Sequence, residues 1–300
     1  MLSKCQETPF TLHSGIKQRE KMRKVCDVRA LRILHSDNHV LAVYKPAGVP
    51  TMPDASKDAS LYNVAKDWVK ETFDKKGQAY LGIVHRLDRP VSGVVVFGRT
   101  SKGASRMSAS FRDARVRKTY VALSERAVVP PGHSFELEQW LLKDRKRNIV
   151  SVVNKNVAGA RVARTRIDVL AVDSRPGGTT LMRLRPHEGR SHQLRVACAS
   201  VGLPILGDKK YDLETRSGSS IHYGKGKRVL VPRGIALHAL ELRLPHPVQK
   251  SELYIDAPQN GWPVGAVTTM LNEDDIANVH ISLDDHTRIH QAWETPTRYE

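Results

Sequence analysis

Strand-like runs occur at Val40 to Tyr44, Gly93 to Arg99, Thr119 to Ser124, Ile149 to Val153, Ala163 to Ala171 and Thr179 to Arg185, rich in Val and Thr and bounded by turn residues. Further β-like segments lie near Ile235 to Leu244 and Ser251 to Ile255. A helical period intervenes three times: at Leu61, Val64, Ala65, Trp68 and Val69, then Ala104, Met107, Ser108 and Phe111, then Leu194, Ala197, Cys198 and Val201. Each set has the spacing of one buried helix face. Ser60 and Ser101 stand where N-caps of the first two helices belong, and Gly202 where the third should close. Strands outnumber helices without regular β-α-β alternation. The prediction is therefore an α+β fold, a single domain on a mainly antiparallel mixed sheet flanked by helices and loops.

The 300 residues contain no visible repeat or low-complexity block. Their expected division is an N-terminal arm over 1–32, one domain over 33–264 and a tail over 265–300. A loop insertion is expected at 212–234, where five Gly or Pro stand among Arg216, Lys225, Lys227, Arg228 and Arg233. No run reaches the ~20 uninterrupted apolar residues of a membrane-spanning helix, so no membrane partner is expected. The 48 Lys and Arg outnumber the 31 Asp and Glu, for a net charge of +17. The excess is uneven: residues 266–300 hold two basic and seven acidic residues, leaving +22 on the first 265. A cationic body of this kind suits a polyanionic partner, because Lys and Arg that neutralise phosphates release counterions. Three scattered cysteines, Cys5, Cys26 and Cys198, provide neither a disulfide framework nor a C-x-x-C zinc pair, and point to a reducing, intracellular setting. The first 30 residues carry seven basic and three acidic residues without a signal-peptide core, compatible with a cytosolic location or a short mitochondrial presequence, to which the reading leans.

Two clusters carry candidate chemistry. In His85-Arg86-Leu87-Asp88-Arg89-Pro90-Val91-Ser92-Gly93, one acid lies among strong bases just ahead of a Val-rich strand. If the segment is extended, Arg86 and Asp88 share a face while Leu87 packs inward; local spacing alone favours a surface ion pair at a strand start, since exposed pairs of this kind are common. In Gly189-Arg190-Ser191-His192-Gln193-Leu194-Arg195, two arginines, a histidine and a glutamine surround a helix start, a place where exposed amides receive anions.

Together these clusters resemble the RluA-type pseudouridine synthases. His85 to Asp88 followed by Ser92-Gly93 is similar to that family's catalytic motif, and Gly189 to Arg195 to its G-R-[ST]-H-Q-[IL]-R motif. Tyr44-Lys45-Pro46-Ala47-Gly48-Val49-Pro50, Lys118 to Leu123, Leu237-His238-Ala239 and Pro245-His246-Pro247 match further family segments in the expected order, over about residues 33 to 258. The chain departs from the pattern at Val91, Glu188, Ala197 and Asp212, where the family usually has Thr, Thr, His and Gly. Glu188 is the departure with most consequence, since a carboxylate beside Arg190 would compete with Asp88 for its charge.

The resemblance implies a pseudouridine synthase catalytic domain acting on uridine in structured RNA, ribosomal RNA ahead of transfer RNA, with ribosomal or assembly proteins as candidate partners. It implies no metal, redox centre or other cofactor. The chemistry requires an ionised carboxylate, acting as nucleophile or base, and a pocket that retains the detached ring. The implied catalytic residues are Asp88, Tyr120 and Arg190, with Arg190 pairing with Asp88 and Tyr120 against the base. Arg86 takes the place of the extruded base, since a planar guanidinium stacks where the ring had been. Lys45, His85, Lys118, His192 and Arg195 are the other expected RNA contacts, His85 by positioning or a backbone contact and Lys45 alternatively at the site floor. Leu184 is the apolar wall of the base pocket. A different class, an RNA-binding assembly factor on the same fold with weak or lost catalysis, would not need a carboxylate inside a basic cleft. A DNA-binding regulator has only the net charge behind it.

Overall fold

In the computed structural model, the described residues are 31–257 except 57, 125, 127–128, 173–177 and 213–233. The first 30 residues of the predicted arm, nearly all of the basic loop and the acidic tail lie outside them. The order of elements is β1 (Ile33–Ser36), β2 (Val40–Lys45), α1 (Leu61–Thr72), β3 (Gly82–Ile83), β4 (Ser92–Gly98), α2 (Ser101–Arg112), β5 (Arg117–Ser124), β6 (Ser134–Asp144), β7 (Ile149–Val152), β8 (Arg161–Val172), β9 (Thr180–Pro186), α3 (Gln193–Ser200), β10 (Leu237–Pro245) and β11 (Glu252–Asp256). All strands join one sheet in the spatial order β1-β2-β4-β10-β5-β9-β8-β6-β7, with β3 on β4 and β11 on β10. Every pairing is antiparallel except β10 with β4. This is the expected α+β class. None of the described helices is long and apolar enough to cross a membrane.

The continuous apolar runs of β2 and β4 arise because both faces of these strands are buried. Leu41, Val43, Val95 and Phe97 pack with Leu61, Ala65 and Val69 of α1 on one face. Val40, Ala42, Val94 and Val96 pack with Met107 of α2 on the other. The Ser60 side chain accepts from Asn63 N at 3.3 Å and caps α1 as expected. The cap of α2 is Thr100 in place of the expected Ser101, since the Thr100 hydroxyl accepts from Gly103 N at 3.0 Å. Gly202, at φ 78°, closes α3 as expected.

The pattern missed the 11-residue β6 because an inward position of this strand is polar: Gln139 is buried, and its amide donates to Ser200 on α3 at 2.8 Å. On the outer face of the same half-sheet, Asp168 gathers Arg166, Arg183 and Arg185, so charged residues stand on two strands, β8 and β9, whose inward positions carry Ile167 and Leu184.

The strand that completes the architecture is β10. It pairs His238 with Ser92 and Ala239 with Gly93 on β4, while Leu237 to Arg243 pair with β5 on its other side. The approach at Gly93 is so close that an added Cβ would fall on the Ala239 carbonyl oxygen and within 2.6 Å of the Ala239 nitrogen, at a φ of +123° open only to glycine. Gly93→Ala is therefore expected to lower the unfolding free energy by about 3 kcal/mol or more, overpacking and backbone strain acting together. Gly77→Ala, where nothing lies within 4 Å, should stay within about 0.5 kcal/mol; urea midpoints of the two variants compare them.

Candidate active site

Asp88 stands on the loop just before β4, and several anchors hold that loop from below. The Thr51 hydroxyl donates to the Leu87 carbonyl at 2.8 Å and accepts from Leu87 N at 3.2 Å. Lys45 is fully buried, and its ammonium donates to the carbonyls of Pro46, Val49 and Arg89 at 3.0, 2.7 and 3.1 Å. Burial drives this ammonium down to about 7, with Asp88 opposing the fall. Lys45 lies beneath the Asp88 loop with no surface open to a ligand, so the expected RNA contact is not made here. Arg89 clips the same loop to the segment after β2, donating to the Gly48 carbonyl at 3.0 Å and pairing with Asp58.

The Asp88 carboxylate, 28% exposed, meets NH1 of Arg195 at 3.3 Å. Arg195 is buried in α3 and turns the rest of its guanidinium onto Asp208, through Nε to Oδ2 at 2.6 Å and NH2 to Oδ1 at 2.7 Å. Burial works against the cation, but Asp208 and Asp88 together outweigh it and hold Arg195 protonated. This corrects two expectations. The partner of Asp88 is Arg195 and not Arg190, and Arg195 is consumed in this buried clamp instead of reaching RNA. Arg190 is exposed on the loop before the helix, where its Nε donates to the Val162 carbonyl at 3.0 Å. The two arginines are five positions apart, and the turn between them leaves Arg190 at the cavity rim and sends Arg195 inward. The turn is made by His192, whose backbone is left-handed at φ 53°.

The helix start is not an open anion site either. Gln193 is buried, accepts from Arg190 N at 3.0 Å, and donates to the Arg164 carbonyl at 2.9 Å and the Thr165 hydroxyl at 3.1 Å. His192 also faces inward: its Nε2 lies 3.7 Å from Asp88 and its Nδ1 2.5 Å from the Tyr211 hydroxyl. That hydroxyl also accepts from Val150 N at 2.9 Å, so it joins the β7 backbone to the His192 ring. Burial, then the positive charges of Arg195, Lys210 and Lys143, push His192 down to about 4 against the pull of Asp88, which keeps the ring neutral.

The remaining expected residues divide as follows. Tyr120 on β5 stands opposite Leu184 in register and lines a cavity of about 90 Å³ together with Asp88, Arg86 and Lys118. Burial, with Asp88 adding to it, raises the Tyr120 phenol well above its ordinary range and keeps the hydroxyl protonated. Leu184 does not reach the cavity; it is fully buried in the core behind Tyr120, and Val91, Pro186 and Leu237 form the apolar wall. Lys118 reaches the rim but donates to the carbonyls of His187 and Glu188, at 3.3 and 2.8 Å. His85 does not line the cavity; its Nε2 accepts from Val96 N at 2.9 Å and its ring stacks on Phe111 at 4.7 Å. Glu188 does not compete for Arg190: both its oxygens bind Arg164, through backbone N at 2.6 Å and the guanidinium at 2.8 and 3.0 Å. Arg86 is exposed at the cavity mouth. Among the described residues no group of three His, Cys, Asp or Glu is placed to hold a metal ion.

Sequence reasoning missed Asp208, Tyr211 and Thr51. A signal for Asp208 existed, since an arginine within the apolar turn Leu194-Arg195-Val196-Ala197-Cys198 requires a buried acid nearby. Arg195→Met should cost about 3–5 kcal/mol by leaving Asp208 buried without its cation, whereas Arg190→Ala should change stability by less than about 1 kcal/mol; guanidinium unfolding separates them. Acid should also weaken the fold through neutral histidines. Burial lowers His85 to about 3, His192 to about 4 and His238 to about 4 from the ordinary 6.5. The unfolded chain takes up these protons first, so the stability of the neutral rings is complete above about pH 6.5 and is lost as pH falls toward about 4. A urea series over that range should show the midpoint falling, and His238→Asn should make the fall shallower.

Comparison with known proteins identifies the family. The sequence profile described as RNA pseudouridylate synthase matches residues 39–200. The dual-specificity RNA pseudouridine synthase RluA of Haemophilus influenzae is 30% identical over 230 residues, covering 76% of this chain and 92% of that protein. The tRNA pseudouridine synthase C of Pectobacterium carotovorum subsp. carotovorum is 29% identical over 269 residues, covering 85% of this chain and 66% of that protein, so the chain spans slightly less than two thirds of that relative. In fold, the solved structure titled human RNA pseudouridylate synthase domain containing 4 superposes with a TM-score of 0.61 at 24% identity, over 89% of this chain and 97% of that one. With its profile matched over more than half of its length, the chain belongs to the RluA-type RNA pseudouridine synthases, isomerases that convert uridine to pseudouridine in RNA.

Proposed function

We propose that this chain isomerises a uridine of structured RNA, ribosomal RNA ahead of transfer RNA, with Asp88 and Tyr120 at the reacting atoms and Arg195 as the residue that holds Asp88. The observation that carries the reading is the Asp88 carboxylate at a cavity wall, 3.3 Å from an arginine that a second, buried acid fixes in place. A fixed cation beside the carboxylate sets its direction without reorganisation during the reaction.

The reaction breaks the bond from uracil N1 to ribose C1′, turns the ring and joins C5 to C1′. The proton lost from C5 is balanced by the one gained at N1, so the product is an isomer and no redox partner is required. Asp88 acts as nucleophile or base while the ring is detached. The Tyr120 ring packs against the base, and its protonated hydroxyl is a hydrogen-bond donor until it assists in moving the C5 proton. Arg86, exposed at the mouth, fills the space that the extruded base leaves in the RNA, offsetting an unstacking cost of a few kcal/mol. His192, with Nε2 3.7 Å from Asp88, packs beside the carboxylate and is a positioning residue. The excess of basic residues in the first 30 supports a mitochondrial site of action.

Asp88→Asn should abolish pseudouridine at its target while RNA binding and the unfolding midpoint remain close to those of the parent. The check is transcriptome-wide pseudouridine mapping in cells with the parent chain, with the variant, and with neither. A site lost in the last two names the RNA, and a pattern identical in all three overturns the reading in favour of an RNA-binding role.

A further inference from the structure

Two cavities meet at Asp88. The smaller, about 90 Å³, extends toward Tyr120 and Leu237 and is the one the isomerisation uses. The larger, about 420 Å³, extends the other way, toward the turn between β6 and β7, where Lys143, Asn148 and Lys210 form its wall. Asp88, Arg86, His192 and Arg195 border both. The second cavity is within the range of about 300–1,000 Å³ typical of ligand clefts.

Its charges are unbalanced. The two carboxylates in its wall are already engaged, Asp88 by Arg195 and Asp54 by Arg89 at 3.6 Å. Lys143 and Lys210 have no carboxylate partner among the described residues: Lys143 Nζ lies 3.4 Å from the Ser191 hydroxyl, and Lys210 Nζ donates to the Asn148 carbonyl at 2.9 Å. Each ammonium has three donors, so each retains donors for an anion. Their charge acts within the site, since after burial and Arg195 they are the groups that lower His192.

The wall is also held in position. Asp144 pairs with Ile149 at the end of the hairpin, and its carboxylate accepts from Arg147 N at 3.0 Å. The Tyr211 hydroxyl joins the hairpin, through Val150 N, to His192 beside Asp88. Beyond the wall, Arg145, Lys146 and Arg147 are all exposed on the turn and extend the positive charge outward.

We propose that this second cavity is a subsite for the nucleotide adjoining the target uridine, with Lys143 and Lys210 on its phosphodiester. A uridine whose glycosidic bond is at Asp88 has its ribose at the junction of the two cavities, and the strand continues from that ribose into the larger one. The proposal rests on the isomerase reading, yet it concerns affinity and not turnover. The target base is thus held from one side and its backbone from the other, which fixes the reacting bond over Asp88.

The test titrates the full chain against a labelled uridine-rich RNA stem-loop over a salt series, and measures kcat/KM on the transcript carrying the mapped uridine. Lys143→Gln and Lys210→Gln should each reduce the steepness of log affinity against log salt by about 0.7, the share of one phosphate on a single strand. Each should lower kcat/KM roughly tenfold, as loss of one charge-assisted hydrogen bond does. Lys210→Arg, which retains the charge, should restore the slope, and Lys102→Gln, on α2 outside the cavity, should change neither quantity. Parental slopes in the Lys143 and Lys210 variants, or an equal loss in the Lys102 variant, would overturn the subsite. A parent chain that forms no pseudouridine overturns the isomerase reading instead, while the binding slopes still decide on the subsite.

Discussion

The site depends on one guanidinium. Arg195 is buried between two carboxylates, one sealed in the interior and the other open to the cavity, and it relates them by fixed geometry. Removing a cation from water costs several kcal/mol, which the bidentate contact with Asp208 offsets. The remaining N–H group can then be directed at Asp88 without Arg195 depending on that contact for its own stability. A surface arginine could hold the same carboxylate only weakly, because water and salt would compete for both. The hidden acid thus leaves the exposed one facing the cavity with its direction fixed.

Around this clamp the chain gathers segments from far apart in sequence. The segment after α3 runs back between the ends of β5 and β10, where Leu206 N donates to the Leu123 carbonyl at 2.8 Å and Ala236 N to the Leu206 carbonyl at 2.9 Å. This return brings Asp208 beneath Arg195. It also brings Tyr211 against His192, with its ring 5.1 Å from the Arg195 guanidinium. A tyrosine there bonds through its hydroxyl to the β7 backbone as well, so the hairpin is linked to the Asp88 loop through His192.

The sequence made some of this legible and not the rest, for physical reasons. The helices were readable because their apolar faces repeat and Ser60 and Gly202 mark real termini. Asp88 and Tyr120 were readable through ordered motifs, and the cavity brings them together. The choice between Arg190 and Arg195 was not, because it rests on the single left-handed residue His192, and spacing contains no sign of φ. Lys45 and His85 show a related limit. Both are conspicuous polar residues in motif positions, yet both satisfy backbone groups, one three carbonyls and the other an amide. A polar residue in a motif can be required for holding the loop as much as for touching a ligand.

The position of β10 has a consequence for how the molecule comes into being. Asp88 leads into β4 and Tyr120 belongs to β5, but these strands do not touch each other; a strand made more than one hundred residues later lies between them. During synthesis the two halves of the centre therefore exist as separate pieces with exposed edges, and contacts this distant in sequence form slowly. The centre is complete only once residues 237–245 occupy the gap between them. A nascent or truncated chain lacking them would hold the recognition motifs but no working centre, and its two bare strand edges would make it a target for chaperones or for self-association.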